Sequence, residues 1–338
     1  MEERVKDILS AIITSYIHTA EPVGSRTLSK NLPQNVSPAT IRNIMSDLGE
    51  MGYLEQPHTS SGRVPTSKAY RFYVDSIVTA NTLPQEIKEL IDHTLSGSHG
   101  DLETLLAHTT HLLAELTKFT GVVAAPRADR AKLKMMEFIR LNSRQVFVVL
   151  ITKSNMVHNK IIETGEDISQ EHLNSISKYL NQHFSGHSLM EVRSRVMETL
   201  VEEKARYDQL LAHVVRLSKK AFELPGTSDL YVEGQSNLVR DFPNMGHLEG
   251  LLKTLEEKIS IVGILDKTLK ASGVQLFIGM EHAKKELQEC SVIASQYGMD
   301  NNLLGAIGVI GPTRMDYSRV IPIVDYTAKI LSQSLSSQ

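Results

Sequence analysis

The amino-acid sequence predicts an α+β protein of more than one domain, with a winged helix-turn-helix at its N-terminus. Three observations lead to this fold class. Residues 1–52 carry helical periodicity broken by turn residues, residues 53–66 carry two short strands around a polar loop, and the later residues alternate between strand and helix periods. The length of 338 residues suits two or three domains.

The first helix is predicted from one apolar stripe at helical spacing, made by Val5, Ile8, Leu9, Ile12, Ile13, Tyr16 and Ile17. Glu21-Pro22-Val23-Gly24 then breaks the chain. Ser25 is placed to cap a short second helix that ends near Asn31, and Pro33-Gln34-Asn35 makes the next turn. With a third helix after it, this is the order of a helix-turn-helix unit.

The third helix is predicted to have two different faces. Ser37 can cap it, and Pro38 suits its first position. Its apolar side is formed by Ile41, Ile44, Met45 and Leu48. Its other side carries short or forked polar groups suited to base edges in a major groove: Ala39, Thr40, Arg42, Asn43 and Ser46. The pattern favours a DNA-recognition helix, with an ordinary solvated helix as the alternative.

A β-hairpin wing is predicted after this helix, which ends at Met51-Gly52. Tyr53–Pro57 and Val64–Thr66 read as short strands around the loop His58–Arg63. Such a loop can lie along a phosphate backbone, or its arginine can enter the minor groove. Ser67 then begins another helix that is expected to reach about residue 80.

The charge distribution favours a specific DNA-binding protein over a non-specific one. Residues 1–75 contain eight basic and eight acidic residues, a net charge of zero. The segment Ser25–Phe72 contains six basic and three acidic residues, a net charge of +3, whereas the whole chain carries −3. A non-specific binder would present a broad basic surface. We therefore expect a dimer in which two modest patches act together on one site.

Long strings at both ends of the chain resemble the HrcA family of bacterial repressors of heat-shock chaperone operons. The strings are Ser37–Asn43, Leu48–Leu54, Gln56–Thr66, Ile278–Glu281 and Gly305–Val320. They occur in the family's order, so the similarity spans essentially the whole chain, although its middle matches more weakly.

This resemblance implies three parts. They are a winged-helix DNA-binding domain over residues 1–80, a GAF-like α/β domain over 101–165 and 226–338 after a linker at 81–100, and an inserted, mainly helical dimerisation segment over 166–225. It also implies a homodimer that binds an inverted-repeat operator on double-stranded DNA upstream of chaperone genes. The chaperonin GroEL would support repression, and unfolded proteins that occupy the chaperonin would remove that support.

Periodicity in the rest of the chain predicts the remaining elements. Helices are expected over Pro84–Thr94, from Asp101, from Ser169, from Ser188 to about Glu223, and from Tyr317 to about Leu335. Strands are expected over Leu133–Leu141, Val146–Ile151, Met156–Ile162, Val274–Gly279, Cys290–Gln296 and Leu303–Ile310. The helix that follows Ser188 exceeds the usual globular length. It is either a bent core helix or, as the resemblance favours, a surface buried against a second copy.

The candidate DNA contacts lie on the second and third helices and on the wing. Arg42 and Asn43 are expected to read base edges, because Arg pairs well with guanine and Asn with adenine. Arg63 is expected to take phosphate or the minor groove. Thr40, Ser46 and Arg26 are expected at phosphate or sugar. The full set is Ser25, Arg26, Ser37, Ala39, Thr40, Arg42, Asn43, Ser46, His58, Thr59, Ser61 and Arg63.

No catalytic, metal or cofactor site is expected. The sequence has no phosphate-binding glycine loop and no nucleophile elbow. The pairs His108/His111 and His183/His187 lack further ligands nearby. Cys290 reads as a small core residue. The absence of an apolar run near 18 residues favours a cytoplasmic protein with no membrane partner.

Two alternatives to chaperonin control remain at this stage. One is a GAF-type regulator that responds to a small molecule, with Phe277, Ile293, Tyr297 and Ile307 as pocket or plain core residues. The other is a direct thermosensor, in which heat loosens the dimer or the DNA-binding domain.

Overall fold

The computed structural model describes residues 2–31, 36–58, 61–76, 82–96, 102–126, 132–153, 157–188, 191–192, 217, 230–242, 245–269, 271, 273–299 and 302–336. The chain divides into two compact units. The first comprises Met1–Val123, Leu230–Tyr297 and Ala306–Gln338, and the second comprises Ala124–Asp229 and Gly298–Gly305. No helix in the described ranges is long and apolar enough to cross a membrane.

The first unit begins with three helices, α1 (Glu3–Thr19), α2 (Ser25–Asn31) and α3 (Pro38–Glu50). Helix α1 buries Ile8, Leu9, Ile12 and Ile13, which confirms the predicted stripe. Helix α3 begins after Ser37, whose Oγ accepts a hydrogen bond from the Thr40 N–H at 3.1 Å. The capped helix and its neighbours therefore form the predicted helix-turn-helix.

A two-stranded wing follows, made by β1 (Leu54–Glu55) and β2 (Val64–Pro65). The strands pair antiparallel, with Leu54 opposite Pro65 and Glu55 opposite Val64. Helix α4 (Ser67–Ser76) comes next. The predicted continuation of this helix to residue 80 lies outside the described residues.

The rest of the first unit is built on a five-stranded sheet. Its strands are β3 (Thr120–Ala124), β7 (Leu230–Glu233), β8 (Gln275–Ile278), β9 (Cys290–Met299) and β10 (Asn302–Pro312), and their order is β7-β3-β10-β9-β8. The sequence predicted the last three strands and missed β3 and β7. Both are short, and β3 is buried at all five residues, so it lacks the alternation that marks a half-exposed strand.

Helices accompany this sheet. They are α5 (Gln85–Ser96), α6 (Leu102–Thr117), α8 (Ser236–Asp241), α9 (Met245–Glu256), α10 (Ile259–Thr268) and α11 (Tyr317–Ser336). Helix α11 packs against α5 and α6. Gly121 on β3 lets α6 approach closely, because a Cβ at this position would lie 2.4 Å from the Thr110 carbonyl oxygen. Ile293, Tyr297 and Ile307 are at most 1% exposed and belong to the core.

The second unit contains an antiparallel sheet of β4 (Leu133–Arg140), β5 (Gln145–Thr152) and β6 (Val157–Glu163), with α7 (Gln170–Phe184) packed on β4. The sequence predicts these strands, and the resemblance assigns them to the first part of the GAF-like domain. Among the described residues they pair with one another and share a core with α7, which includes Phe138, Val148 and Leu173. The predicted helix from Ser188 to Glu223 lies almost entirely outside the described residues, and its Val192 and Leu217 join this core.

Candidate nucleic-acid interface

Helix α3 presents the two faces that its sequence predicts. Ile41, Met45 and Leu48 are at most 4% exposed and hold the helix on the domain. Arg42 and Asn43 are exposed on the opposite side, together with Ala39 and Ser46. Arg42 and Asn43 make no hydrogen bond or ion pair with the described residues, so their donors and acceptors face solvent. This is the geometry of a helix that can enter a groove.

The hydroxyls at the start of α3 are already engaged with each other. Ser37 Oγ lies 2.9 Å from Thr40 Oγ1 and also accepts the Thr40 N–H. Both side chains therefore serve the helix cap. They lie beside the exposed face, but their hydrogen-bonding capacity is partly used within the protein.

The wing loop is shaped by Ser61. The Ser61 hydroxyl donates to the His58 carbonyl oxygen at 2.7 Å and accepts the His58 N–H at 3.0 Å. Gln56 Nε2 donates to the Ser61 carbonyl oxygen at 3.0 Å. Thr59, another candidate contact, lies outside the described residues. Ser61 thus closes the loop, while His58 is left exposed at its start.

The far strand of the wing is tied to the turn between α1 and α2. The Val23 N–H donates to the Arg63 carbonyl oxygen and the Arg63 N–H donates to the Val23 carbonyl oxygen, both at 2.9 Å. Gly62 makes this approach possible, because a Cβ there would lie 2.5 Å from the Val23 carbonyl oxygen. Sequence reasoning missed this bridge, although Gly62 lies in the string Gln56–Thr66 that carries the family resemblance.

A cleft of about 500 Å³ opens between the start of α2, helix α3 and the wing. Its lining brings together three arginines that are distant in sequence, Arg26, Arg42 and Arg63, and contains no acidic residue. Arg63 is half-buried, and its guanidinium lies beside Gly49 at the end of α3. Of the predicted candidates, Ser25, Ser46 and Ser61 also line the cleft. A lining with three cations and no carboxylate suits an anionic backbone.

The end of α3 is held by the start of α4. Lys68 Nζ donates to the Met51 carbonyl oxygen at 2.7 Å and lies 4.5 Å from the centre of the Tyr53 ring. Thr66 Oγ1 donates to the Gly52 carbonyl oxygen at 2.8 Å. A cation at a helix C-terminus is electrostatically favourable. Sequence reasoning missed these contacts because they join residues that lie 14 to 17 positions apart.

Cys290 and His183, two of the other residues that the sequence analysis singles out, have contacts within the protein. Cys290 is fully buried, and this burial raises the pKa of its thiol to about 12, so the thiol is protonated and inert at neutral pH. His183 stacks on Tyr179, and its Nδ1 lies 2.9 Å from the Tyr179 carbonyl oxygen. Among the described residues, no three His, Cys, Asp or Glu side chains are grouped as metal ligands.

Two family models together match most of the chain. The model described as winged helix-turn-helix transcription repressor, HrcA DNA-binding, matches residues 1–76. The model described as HrcA protein C terminal domain matches residues 103–321.

Relatives named heat-inducible transcription repressor HrcA match over nearly their full length. The chain is 43% identical over 339 residues to the heat-inducible transcription repressor HrcA of Syntrophobacter fumaroxidans, with 99% of this chain and 97% of the relative covered. It is 43% identical over 340 residues to the protein of the same name in Geobacter sulfurreducens, with 100% and 99% covered. A crystal structure of a hypothetical protein superposes with a TM-score of 0.60 at 23% identity, over 100% of this chain and 99% of that one. This last likeness concerns the fold alone.

The exposed face of α3, the arginine-lined cleft and the wing thus stand in a chain whose two ends and middle match one regulatory, non-enzymatic family, and the chain belongs to the HrcA heat-inducible transcription repressors.

Proposed function

We propose that this protein represses chaperone operons by binding an inverted-repeat operator as a homodimer, with GroEL supporting the repressing state. The cleft that joins Arg26, Arg42 and Arg63 is the observation that carries the DNA-binding half of this proposal. The start of α2, the recognition helix α3 and the wing meet at this cleft, so one DNA segment could touch all three. The acting compartment is the cytoplasm, where the chromosome lies.

Within this interface each side chain has a proposed role. Arg42 and Asn43 read base edges from the exposed face of α3. Arg26 and Ser25 hold a phosphate at the start of α2, while Arg63 and His58 follow the backbone beside the wing. Ala39 and Ser46 contact the groove wall. Ser37, Thr40 and Ser61 shape the cap and the wing loop, so we propose that they act mainly by position. Thr59 remains a candidate from its place in the loop.

We propose that the second unit supplies the dimer contact, with Ala124–Asp229 as the inserted segment. One face of its sheet packs on α7, and the other carries two rows of apolar side chains across the three strands. The rows follow from the register and are Met135, Ile151 and Val157, then Ile139, Phe147 and Ile161. Met135, Ile139, Val157 and Ile161 are 37% to 59% exposed. A patch of this kind marks an interaction site, and a two-fold axis would bring it against its own copy.

The five-stranded sheet with its helices is our candidate for the GAF-like domain. The family resemblance, rather than a particular contact, supports chaperonin control. The small-molecule alternative has less support, because three of its four pocket candidates are core residues. A metabolite that raised the melting temperature of the protein and released DNA would favour it.

A footprint on the protein's own chaperone promoter tests the main proposal. Purified protein should protect both arms of an inverted repeat, and added chaperonin should increase the protected fraction at a fixed protein concentration. An excess of unfolded substrate protein should reverse this gain. Protection that is independent of chaperonin but lost on heating the protein alone would instead favour direct thermosensing.

A further inference from the structure

We propose that Arg71 and Glu281 are positioning residues for operator binding, which fix the winged helix on the five-stranded sheet and so let the repressor select the spacing between operator half-sites. Both residues belong to the first compact unit. The inference rests on the proposed function, because spacing has meaning only for a dimer on two half-sites.

The two side chains form a forked ion pair across 210 residues of sequence. Arg71 on α4 donates from Nε to Glu281 Oε1 at 2.7 Å and from Nη2 to Glu281 Oε2. Arg71 Nη2 also donates to the Leu276 carbonyl oxygen at 2.7 Å. Two parallel hydrogen bonds between flat groups are geometrically restrictive. The pair therefore fixes an orientation as well as a distance.

Glu281 is itself held in place by the turn that carries it. Its Oε2 accepts the Ile278 N–H at 2.9 Å, which closes the short 3-10 turn Gly279–Glu281 at the end of β8. Gly279 in this turn has a φ of +53°, and a Cβ there would lie 2.0 Å from Ser67 Oγ at the start of α4. The turn thus touches α4 at its first residue and, through Glu281, one turn further along.

A buried aromatic contact completes the docking of α4. Tyr70 is 1% exposed, and its ring centre lies 6.0 Å from that of Tyr317. The Tyr317 hydroxyl lies 2.7 Å from Ser291 Oγ on β9. The apolar contact supplies adhesion without direction, and the forked ion pair beside it supplies direction.

The same helix also holds the DNA-reading helix. Lys68, three residues before Arg71, donates to the Met51 carbonyl oxygen at the end of α3. Thr66, just before α4, donates to the Gly52 carbonyl oxygen. Any rotation of α4 on the sheet is therefore passed to α3 and to the wing. Arg71 is engaged with Glu281 and Leu276, and we infer that it acts by setting the direction in which Arg42 and Asn43 point.

Selectivity for the spacing between half-sites follows from the fixed position of α4 on the five-stranded sheet. Adjacent base pairs are rotated by about 35° along the duplex, so a spacer changed by two base pairs turns one half-site by about 70° relative to the other. A recognition helix that is fixed on its own unit resists this rotation, whereas a loosely mounted one follows it.

The test compares full-length wild type, Arg71→Ala, Glu281→Gln and the double variant on inverted repeats whose spacer is native, two base pairs longer or two base pairs shorter. Wild type should lose about tenfold or more in affinity on the altered spacers, and each variant about threefold or less. The double variant should behave like the single ones, because both remove one interaction. Arg140→Ala is the matched control, since it removes a forked pair with Asp167 in the second unit, and it should discriminate like wild type.

Variants that melt cooperatively and still discriminate like wild type would overturn the inference. If Arg71→Ala does not fold, Arg71→Lys takes its place, because lysine keeps the charge and cannot form the fork. Full discrimination by Arg71→Lys would count equally against the inference. A wild type that binds a single half-site as tightly as the repeat would overturn the proposed dimeric function, and the spacing inference with it, whichever variant is used.

Discussion

Arg42 and Gly62 contribute to the same cleft in opposite ways. Arg42 is exposed, and its guanidinium makes no hydrogen bond or ion pair with a described residue. Gly62 offers the absence of a side chain, which lets the wing approach Val23. One residue can be tested by removing a group, and the other by adding one.

Replacing Arg42 with alanine should weaken operator binding by about 1–3 kcal/mol and relax specificity at one base pair, because a forked contact to guanine would be lost. Fluorescence anisotropy on the operator, on single-base-pair variants and on scrambled DNA measures both effects. Arg4→Ala, which removes an exposed arginine from α1, is the control. An equal loss on operator and scrambled DNA would show that Arg42 contacts phosphate instead.

Replacing Gly62 with alanine should open the bridge between Val23 and Arg63, since the new Cβ would lie within 2.7 Å of three backbone atoms of Pro22 and Val23. We expect operator affinity to fall by about tenfold while helix content is kept, because the helices do not depend on the wing tip. Circular dichroism measures helix content and fluorescence anisotropy measures operator affinity, so the two methods separate a local change from unfolding. Gly165→Ala is the control, because nothing lies within 4 Å of its Cβ position. Unchanged affinity in Gly62→Ala would remove the wing from the interface.

The candidate residues also show what a sequence cannot distinguish at this scale. Ser37, Thr40 and Ser61 are predicted to contact DNA, and this stays a prediction. Their hydroxyls bind neighbouring groups of the chain, which is what short polar side chains do at caps and turns. A hydroxyl that shapes a loop and one that binds phosphate have the same sequence pattern.

At the scale of elements, α3 and the wing could be predicted because their signals are local: a cap, a stripe and two breaks. The pairing of β4 with β5 and β6, apart from the larger sheet, could not be predicted, since strand pairing joins residues that no local pattern links. For the same reason, no local pattern predicts the contact between α4 and the turn Gly279–Glu281. Local periodicity therefore predicts most of the helices and strands, but few of the contacts between them.

The Arg71–Glu281 pair should make stability depend on pH. Burial opposes ionisation of Glu281, but the hydrogen bonds from Arg71 and the Ile278 N–H and the charges of Arg71 and His282 outweigh burial and lower its pKa below 4.5. Asp75 shares Arg71. Because the folded pKa is depressed, the stabilisation is complete above pH 4.5 and is lost as the pH falls through the folded value.

The difference in melting temperature between wild type and Glu281→Gln should therefore be largest near neutral pH and shrink below pH 4.5. Thermal unfolding of both proteins across this range measures it. Lys284→Ala, which loses an exposed contact to Glu257, provides a comparison elsewhere in the same unit. A difference that stays constant with pH would mean that the glutamate acts through packing alone.

At the scale of the whole molecule, the net charge of −3 and a cleft that holds only three arginines lead us to expect that one copy binds DNA weakly. Two copies on one duplex add their contacts, since the second engages at high effective concentration. In the proposed dimer, the apolar rows of the second unit are therefore as necessary to binding as the arginines.

Ile161→Asp on β6 should convert the dimer to a monomer, because a carboxylate would be buried against an apolar row. Operator affinity should fall by about tenfold or more, equivalent to at least about 1.4 kcal/mol, while binding to a single half-site is unchanged. Analytical ultracentrifugation and anisotropy measure the two effects. Lys178→Asp, on the outer side of α7, is the control. A dimeric Ile161→Asp would place the contact elsewhere.

The point at which the chain leaves the five-stranded sheet has a consequence for how such a protein can arise. Strands β3 and β7 are neighbours, and the start of β3 lies beside the end of β7, because Thr120 Oγ1 donates to the Gly234 carbonyl oxygen. The two strands run antiparallel, so Ala124 at the end of β3 and Leu230 at the start of β7 lie at the same end of the strand pair. A tight hairpin turn would be enough to join them there. The segment Ala124–Asp229, which is the larger part of the second unit, thus occupies the place of a turn. If that segment supplies the dimer contact that we propose, its gain or loss in evolution would leave the five-stranded sheet whole and would change only whether the DNA-binding domain acts alone or as a pair.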